Sequence, residues 1–295
     1  PAGTRTEAAT SSASSGAARS TASDATDRQS RSSPTMCLVS VALDAHPRYA
    51  LAIAANRDEY HAREARPAHW WDEGWLAGRD LSAGGTWFGV RRDGHWALVT
   101  NVREPGRKDA NAASRGGLVT GALSASSLDA YLSRLDADGG RYNGYNLLAG
   151  NASAARWASN RTASTRAVDP GVSALSNAAL GTPWPKVRKL SAALTAWADR
   201  GSDDIDALFD ALADRERAPD DALPSTGVTL DWERMLSAPF IVGDRYGTRC
   251  STVLVVARDG QARFVERSFD TAGRLSGVVD ERFGITPETR FEPRS

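Results

Sequence analysis

The stretch MCLVSVALDAHPRYALAIAANRDEY, residues 36–60, decides how we interpret the fold. Two apolar runs, 37–43 and 49–56, are separated by the polar segment DAHPR. Short apolar runs that are bounded by turn-forming residues are typical of paired β-strands. We therefore predict a β-hairpin whose first strand opens at Cys37.

The residues before this hairpin have a different composition. Residues 1–35 are rich in Ser, Ala, Thr and Arg and hold almost no large apolar side chain, so they cannot bury enough surface to offset chain entropy. We predict a disordered N-terminal extension over 1–35 and a single domain over 36–295, although an Arg- and Ser-rich transit peptide is an alternative. The folded protein is then expected to begin at Met36 or, if that methionine is removed, with Cys37 as a free amino terminus.

The remaining sequence predicts an α+β fold. Alternating runs around Gly-containing turns predict two more hairpins, over 84–102 and 248–269, with further strands at 142–151, 154–158 and 165–169. Apolar residues at three- and four-residue intervals predict helices over 117–135, 183–200 and 203–215. Residues 57–81 are interpreted as a loop, and the polar stretch beyond residue 271 as peripheral. Two mainly antiparallel sheets with helices outside are expected, and a less regular α+β domain remains the alternative.

Composition excludes several classes of function. The chain carries 36 basic and 36 acidic residues with no basic cluster, which argues against a nucleic-acid partner. No apolar run approaches the roughly 20 residues that span a bilayer, and no secretory signal is evident, so we expect no membrane insertion and a cytoplasmic location. Two cysteines and four histidines without ligand-like spacing predict neither disulfides nor a metal site, and the absence of glycine-rich phosphate loops predicts no nucleotide cofactor. A small-molecule partner is the expectation, with no cofactor.

Cys37 is the candidate nucleophile. If Met36 were removed, one residue would carry both a thiol and a free α-amino group. An α-amine has a reference pKa of about 7.7–8.0, so its neutral fraction can accept the proton of the thiol without a histidine. The alternative is that Cys37 is simply a small apolar residue at the start of a strand.

A family resemblance changes this balance. The 36–60 stretch with its Asn56–Glu59 motif resembles the start of the NRDE family, also called the transport and Golgi organisation protein 2 family. Further blocks resemble that family's recurring segments: LAGRDLSAGGTWFGV at 76–90, ALVTNVREP at 97–105, SRGGLV at 114–119, YNGYNLLAG at 142–150, ALSNAALGTPWPKVRK at 174–189 and YGTRCSTVLVV at 246–256. The family is similar to the N-terminal-nucleophile hydrolases, especially the cysteine branch with penicillin V acylase and bile salt hydrolase. That resemblance implies a four-layer αββα sandwich.

The resemblance also implies site residues. The positions that match the catalytic motifs of the cysteine branch are Cys37, Arg57, Asp58, Asn177, Arg249 and, more loosely, Asn101. One departure matters: the acylases place their Arg and Asp three residues apart, whereas Arg57 and Asp58 are adjacent. At least one role has therefore moved, and Asn56 or Glu59 could supply the missing geometry and contact substrate.

Each implied role has a physical reason and a plainer alternative. Asp58 could accept hydrogen bonds from the α-ammonium group, while Arg57 or Arg249 could favour the thiolate by placing positive charge nearby. The alternative for this segment is a loop with surface ion pairs. The side-chain N–H groups of Asn101 and Asn177 could stabilise a tetrahedral intermediate, or each Asn could simply close a strand into a turn.

Trp87 follows two glycines and could wall an apolar substrate pocket, although core packing is the commoner use of Trp.

Two functions follow from different classes. The first is a cysteine N-terminal-nucleophile amidohydrolase that acts on a non-peptide carbon–nitrogen bond of a small molecule through a thioester. The alternative is a non-catalytic haem or lipid/acyl-CoA binding and trafficking protein on the same fold, which the family's associations suggest. The sequence leaves the substrate and the oligomeric state open.

Overall fold

The computed structural model describes residues 1–3 and 36–286. The chain divides into two units, Pro1–Ser33 and Pro34–Ser295, and every element named below belongs to the second. The predicted disordered extension over 1–35 lies outside the described residues apart from the first three, so it stays a prediction. The single domain predicted over 36–295 also stays a prediction, because the described residues end at residue 286.

Six strands within the described residues form the first sheet. They are β1 (Met36–Leu43), β2 (Tyr49–Tyr60), β10 (Gly171–Leu175), β11 (Tyr246–Ala257), β12 (Gln261–Phe269) and β13 (Leu275–Gly284). Their order across the sheet is β10-β1-β2-β11-β12-β13, and all neighbours are antiparallel. The predicted hairpin is β1 and β2, in which Val39 lies opposite Ala55.

Seven further strands of the described chain form the second sheet in chain order. They are β3 (Ala65–Trp70), β4 (Trp75–Asp80), β5 (Phe88–Arg91), β6 (Trp96–Asn101), β7 (Tyr145–Gly150), β8 (Ala155–Ser159) and β9 (Arg166–Val168). Each strand pairs antiparallel with the next, as short local connections favour. The strand predictions at 84–102, 142–151, 154–158 and 165–169 are therefore confirmed.

The α-helices of the described residues lie outside the two sheets. They are α1 (Gly116–Ser124), α2 (Leu128–Asp138), α3 (Pro185–Asp199), α4 (Asp206–Leu212) and α5 (Leu230–Leu236), with 3₁₀ turns at Gly139–Arg141 and Asp220–Ala222. One apolar cluster fills the space between the sheets, a second joins the first sheet to α3 and α4, and a third joins the second sheet to α1 and α2. The order of layers is thus helix, sheet, sheet, helix. The predicted α+β, four-layer αββα sandwich is confirmed.

Two local predictions were wrong. The predicted loop 57–81 contains the end of β2 and all of β3 and β4. The described part of the stretch beyond residue 271 is peripheral as predicted, because its strand β13 lies at the edge of the first sheet and is mostly exposed. The single helix predicted over 117–135 is interrupted, because the Ser127 side chain accepts a hydrogen bond from the Ala130 N–H and so caps a new helix. Apolar periodicity continued across this break, which concealed it.

Candidate functional site

Cys37 lies at the entry of β1, in a row of three polar side chains. Across the first sheet it is opposite Arg57 of β2, and Arg57 is opposite Cys250 of β11. Laterally paired residues point to the same face of a sheet, and here that face is the one between the two sheets, since Val39 and Ala55 belong to the central core. The guanidinium of Arg57 therefore lies between two buried free thiols.

Burial controls the ionisation of both thiols. With Met36 attached, the pKa of Cys37 is raised to about 12, chiefly by burial and then by the negative charge of Asp58. The charge of Arg57 and a backbone hydrogen bond from Asp58 lower this pKa, but by less. The pKa of Cys250 is also raised by burial, next to Glu266. The charge of Arg57 thus acts in the expected direction, but in the chain that carries Met36 burial and Asp58 outweigh it, and the thiol stays protonated.

Glu59 lies two residues beyond Arg57 on the same face of β2. Its Oε2 is 3.6 Å from Arg57 Nη2 and 3.7 Å from Arg63 Nε, and its Oε1 accepts the N–H of Tyr60 at 2.9 Å. Arg63 also forms a 2.6 Å ion pair with Asp80. Glu59 is therefore a buried counter-ion for two arginines beside the thiol.

Asp58 points to the opposite, helix-covered face of the sheet. Its Oδ1 accepts a hydrogen bond from the Thr248 hydroxyl at 2.7 Å, and its Oδ2 is 4.0 Å from the Nζ of Lys186, in the first turn of α3. Both side chains are almost completely buried. Neither Asp58 Oδ2 nor Lys186 Nζ has a hydrogen-bond partner among the described residues.

The pKa values of this pair are shifted towards each other. Burial raises the pKa of Asp58 to about 6, although Lys186 and the Thr248 hydroxyl lower it. Burial lowers the pKa of Lys186 to about 8, although Asp58 raises it. Asp58 is also opposite Met36 in the strand register, so its carboxylate lies near the peptide bond that joins Met36 to Cys37.

Asn177 lies on the other side of Cys37. The pairing of β10 with β1 ends at Leu175, which is opposite Val39, and Asn177 follows two residues later. The Ser176 hydroxyl, 2.7 Å from the carbonyl oxygen of Cys37 and 2.9 Å from Asn177 Oδ1, donates its one proton to one of these acceptors. Asn177 Nδ2 donates to the carbonyl of Asn101 at 2.8 Å. Asn101 ends β6, so this contact joins the two sheets beside the thiol.

Arg249 is next to this group, but its side chain binds backbone carbonyls rather than the thiol. It occupies a β-bulge between Thr248 and Cys250, where the β11 register shifts against β2. Its Nη1 donates to the carbonyls of Tyr60, His61 and Arg63 at 3.1, 3.2 and 3.4 Å. The side chain therefore closes the turn after β2, and its charge acts on Arg57, Cys250 and Glu59.

The remaining candidates, Asn56 and Trp87, lie apart from the thiol. Asn56 is fully buried on the helix-covered face, and its Nδ2 donates to the carbonyls of Leu212 and Pro239 at 2.8 and 2.9 Å. These bonds fasten the helix layer to the sheet. Trp87 is half-buried, packs against the central core and makes an edge contact with Phe88. In this structure both make packing or backbone contacts, and their substrate-binding roles stay predictions.

Comparison with known proteins identifies the family of the chain. The profile of the family "Transport and Golgi organisation 2" matches residues 36–271, which is most of the chain. The chain belongs to this family. The Transport and Golgi organization protein 2 homologs of Bos taurus and Homo sapiens are each 35% identical to it, over 260 and 259 residues; each comparison covers 79% of this chain and 93% of the relative.

The comparison with solved structures also gives a match to this chain. The Caenorhabditis elegans N-acylethanolamine-hydrolyzing acid amidase ortholog is 12% identical, with a TM-score of 0.37, and the match covers 74% of this chain and 92% of that one.

Sequence reasoning missed several residues of the site. Thr248, Ser176 and Lys186 contact Asp58 or Cys37, and Arg115 acts on Cys37 through its charge. Each of these residues lies in one of the sequence blocks that resemble the family. Thr248 and Ser176 are each adjacent to a predicted site residue, Lys186 lies within ten residues of one, and Arg115 is adjacent to a pair of glycines. The signal was therefore present in the blocks, but no local pattern marked these residues as buried.

The described ranges hold no group of three or more His, Cys, Asp or Glu side chains that could bind a metal. None of the helices in the described part of the chain is long and apolar enough to cross a membrane. A surface groove of about 570 Å³ lies between β10 and α3 and is lined by residues of those elements and their connection, away from the thiol.

Proposed function

We propose that this chain is a cysteine amidohydrolase that cleaves a non-peptide carbon–nitrogen bond of a small molecule, with Cys37 as nucleophile once it is the amino-terminal residue. One observation carries the proposal. Asp58, which is opposite Met36, has a buried carboxylate oxygen without a hydrogen-bond partner among the described residues. A buried polar atom of this kind is costly unless a partner arrives, and the freed α-amino group of Cys37 is a suitable donor.

The α-amine supplies the base that the thiol lacks. In the chain with Met36 attached, the nitrogen of Cys37 is a peptide nitrogen and the thiol is protonated. Removal of Met36 turns that nitrogen into an amine. The neutral amine accepts the proton of the thiol, directly or through a water, and the thiolate attacks the substrate carbonyl.

Lys186 balances the charge of Asp58 in this scheme. A carboxylate alone would hold a proton on the α-amine and raise its pKa, which would remove the base. The ammonium group of Lys186, 4.0 Å from Asp58, offsets that effect. Asp58 then orients the amine through a hydrogen bond while the pair remains close to neutral.

The tetrahedral intermediate requires a hydrogen-bond donor near Cys37. Asn177 contacts the Ser176 hydroxyl, which lies 2.7 Å from the carbonyl oxygen of Cys37, and its side-chain amide group is a hydrogen-bond donor. A preorganised donor of this kind can contribute ~3 kcal/mol to the transition state. Collapse of the intermediate breaks the carbon–nitrogen bond as the protonated amine returns its proton to the leaving nitrogen. Water then hydrolyses the thioester and regenerates the thiol.

Labelling with iodoacetamide tests the proposal. Two forms are compared: the full chain, and a chain started at Met36 whose methionine the expression host removes, as intact mass confirms. Because the amine can deprotonate the thiol only when it is free, Cys37 should react much faster in the second form. Cys250, buried in both, is the internal control and should remain slow.

Substitution of the nucleophile completes the test. Cys37→Ala should abolish hydrolysis of a panel of small linear amides, whereas Cys250→Ala should leave it intact. Equal labelling of Cys37 in both forms would contradict the proposed activation. Haem or lipid binding that persists in Cys37→Ala, without any amide hydrolysis by the processed wild type, would favour the binding and trafficking function instead.

A further inference from the structure

Two cationic side chains are held at one turn of the chain, residues 143–144. Arg115, directly before α1, donates from Nη1 to the carbonyl of Gly144 at 3.0 Å. Asn143 and Asp109 exchange two hydrogen bonds of 2.8 Å, from the Asp109 N–H to Asn143 Oδ1 and from Asn143 Nδ2 to the Asp109 carbonyl. Lys108 directly precedes Asp109 in the chain. These bonds therefore hold the Arg115 side chain and the backbone next to Lys108 at the same turn.

This turn is close to the nucleophile. The carbonyl of Gly144 that Arg115 contacts also accepts the N–H of Val102 at 2.9 Å. The next residue, Arg103, donates its N–H to the carbonyl of Asn177 at 2.8 Å, and the hydroxyl of the adjacent Ser176 lies 2.7 Å from the carbonyl oxygen of Cys37. A short series of hydrogen bonds between neighbouring residues thus leads from Arg115 to the backbone of Cys37, and the charge of Arg115 acts on Cys37.

Neither cation has a counter-ion within the described part of the chain. No carboxylate there lies within ion-pair distance of Arg115 or Lys108, and the Gly144 carbonyl is the only hydrogen-bond acceptor found there for Arg115. The nearby acids are already occupied. Glu59 is between Arg57 and Arg63, and Glu104 is held by Arg161 and by the N–H of Gly144.

The pKa values of Arg115 and Lys108 also reflect their surroundings. The pKa of Arg115 is lowered to about 10, first by burial. The pKa of Lys108 is lowered by burial and then by the charge of Arg115. Two like charges that repel each other in a partly desolvated place are unfavourable, and an anion between them would remove the penalty.

We propose that Arg115 and Lys108 form an anion subsite that binds a carboxylate or phosphate group of the substrate and so directs an anionic amide or acyl compound to Cys37. Arg is suited to this role because its planar guanidinium can donate two parallel hydrogen bonds to an oxyanion, while Lys adds a mobile point charge. The inference rests on the proposed function for the identity of the nucleophile. It goes further in that it assigns the charge of the substrate.

Two thiol reagents of different charge test the subsite without any hydrolysis. Iodoacetate carries a carboxylate, and iodoacetamide is its neutral analogue. Both reagents react with the same thiolate, so the ratio of their rate constants at Cys37 does not depend on the fraction of thiolate. Dividing this ratio by the ratio measured for N-acetylcysteine removes the difference in intrinsic reactivity between the two reagents. One unit charge within ~6 Å in a partly hydrated site changes such a ratio about tenfold. The processed protein, which begins at Cys37, should therefore show a strong preference for iodoacetate that weakens in high salt.

Variants assign that preference to the two cations. Lys108→Gln removes one charge from an exposed side chain, and Arg115→Gln keeps a donor for the Gly144 carbonyl; each should lower the normalised ratio several-fold, to as much as tenfold. Arg107→Gln is the matched control, because it removes the same charge one residue from Lys108 at a side chain that faces Glu104 and is 71% exposed. Its ratio should be close to that of the wild type.

Added anions distinguish the two sources of the oxyanion. If inorganic phosphate slows iodoacetate labelling at lower concentration than acetate does, the subsite is selective for phosphate; the reverse order identifies a carboxylate. Modification of Cys37 by both reagents without a charge preference, or with the same preference in every variant, overturns the subsite and leaves the proposed function intact. Failure of both reagents to modify Cys37 in the processed protein overturns both.

Discussion

Replacing Lys186 with Met should make stability depend on pH in a range where the wild type is flat. Asp58 and Lys186 are a buried pair 4.0 Å apart, with pKa values of about 6 and about 8. Between these values Asp58 is ionised and Lys186 protonated in the folded protein. The unfolded chain has the same charges there, because its reference values are about 3.9 and 10.4. The pair therefore contributes little pH dependence around pH 7, where its two small titration effects cancel.

Lys186→Met removes the charge that lowers the pKa of Asp58. At 4 Å and an effective dielectric constant of ~20, that attraction amounts to ~4 kcal/mol, which is enough to raise the Asp58 pKa above neutrality. The folded variant then keeps a proton that the unfolded chain releases. With one more proton bound by the native state, the free energy of unfolding falls by about 1.4 kcal/mol for each pH unit of increase.

Urea unfolding followed by tryptophan fluorescence at several pH values between 6 and 8 measures this slope. Lys189→Met is the matched control: it removes a lysine from the same helix whose ion pairs with Asp214 and Glu216 lie at the surface, so it should not change the slope. Asp58→Asn combined with Lys186→Met should restore a flat profile, because no titrating group remains. A Lys186→Met slope equal to that of the wild type would refute the coupling and, with it, the charge balance proposed for the α-amine.

Three further substitutions have expected outcomes. Asn56→Leu removes two donors to buried carbonyls of the helix layer and should lower the urea-derived free energy of unfolding by ~2–4 kcal/mol, with little change in the Cys37 labelling rate of the variant that still folds. Thr248→Val removes the hydroxyl that donates to Asp58, so it should cost ~1–3 kcal/mol in the same assay and steepen the loss of stability above pH 6. Gly85→Ala would place a Cβ 2.7 Å from the carbonyl carbon of Gly116, so a thermal melt should show destabilisation of ~1–3 kcal/mol.

The hairpins could be predicted from the sequence because their information is local. In β1 and β2 the apolar residues form continuous runs, so each strand is buried on both faces, and the turn DAHPR fixes which residues are opposite. The same information could not predict that β10 pairs with the outer edge of β1. That pairing joins residues such as Val39 and Leu175, which are far apart in the sequence, and Asn177 reached the list of candidates only through a resemblance.

Buried charge was the least predictable feature. Lys186 is in the first turn of α3, where composition predicts a solvated side chain, because lysine is almost never fully buried without a partner. Its burial follows from the way α3 packs against β1, a tertiary contact that no sequence period encodes. The same holds for Arg115, since SRGGLV predicts a helix start and gives no sign that the charge of this arginine acts on Cys37.

The adjacency of Arg57 and Asp58 now has a physical consequence. Successive residues of a strand point to opposite faces, so these two side chains cannot both approach the thiol. Arg57, in the row of Cys37, faces the thiol from the side of the central core. Asp58, in the row of Met36, faces the helix layer and meets Lys186 instead. Two residues three apart in a strand would also point to opposite faces, so spacing alone does not decide the roles; the register does. Under the proposed function, the strand would therefore separate the two tasks of an amino-terminal nucleophile: the charge next to sulfur comes from one face of the sheet, and the partner for the amine would come from the other. A one-residue slip of β2 against β1 would exchange these neighbours. The bulge at Arg249 and the anchored side chain of Asn56 both help to fix the register of β2. They therefore matter to the site although neither needs to touch a substrate.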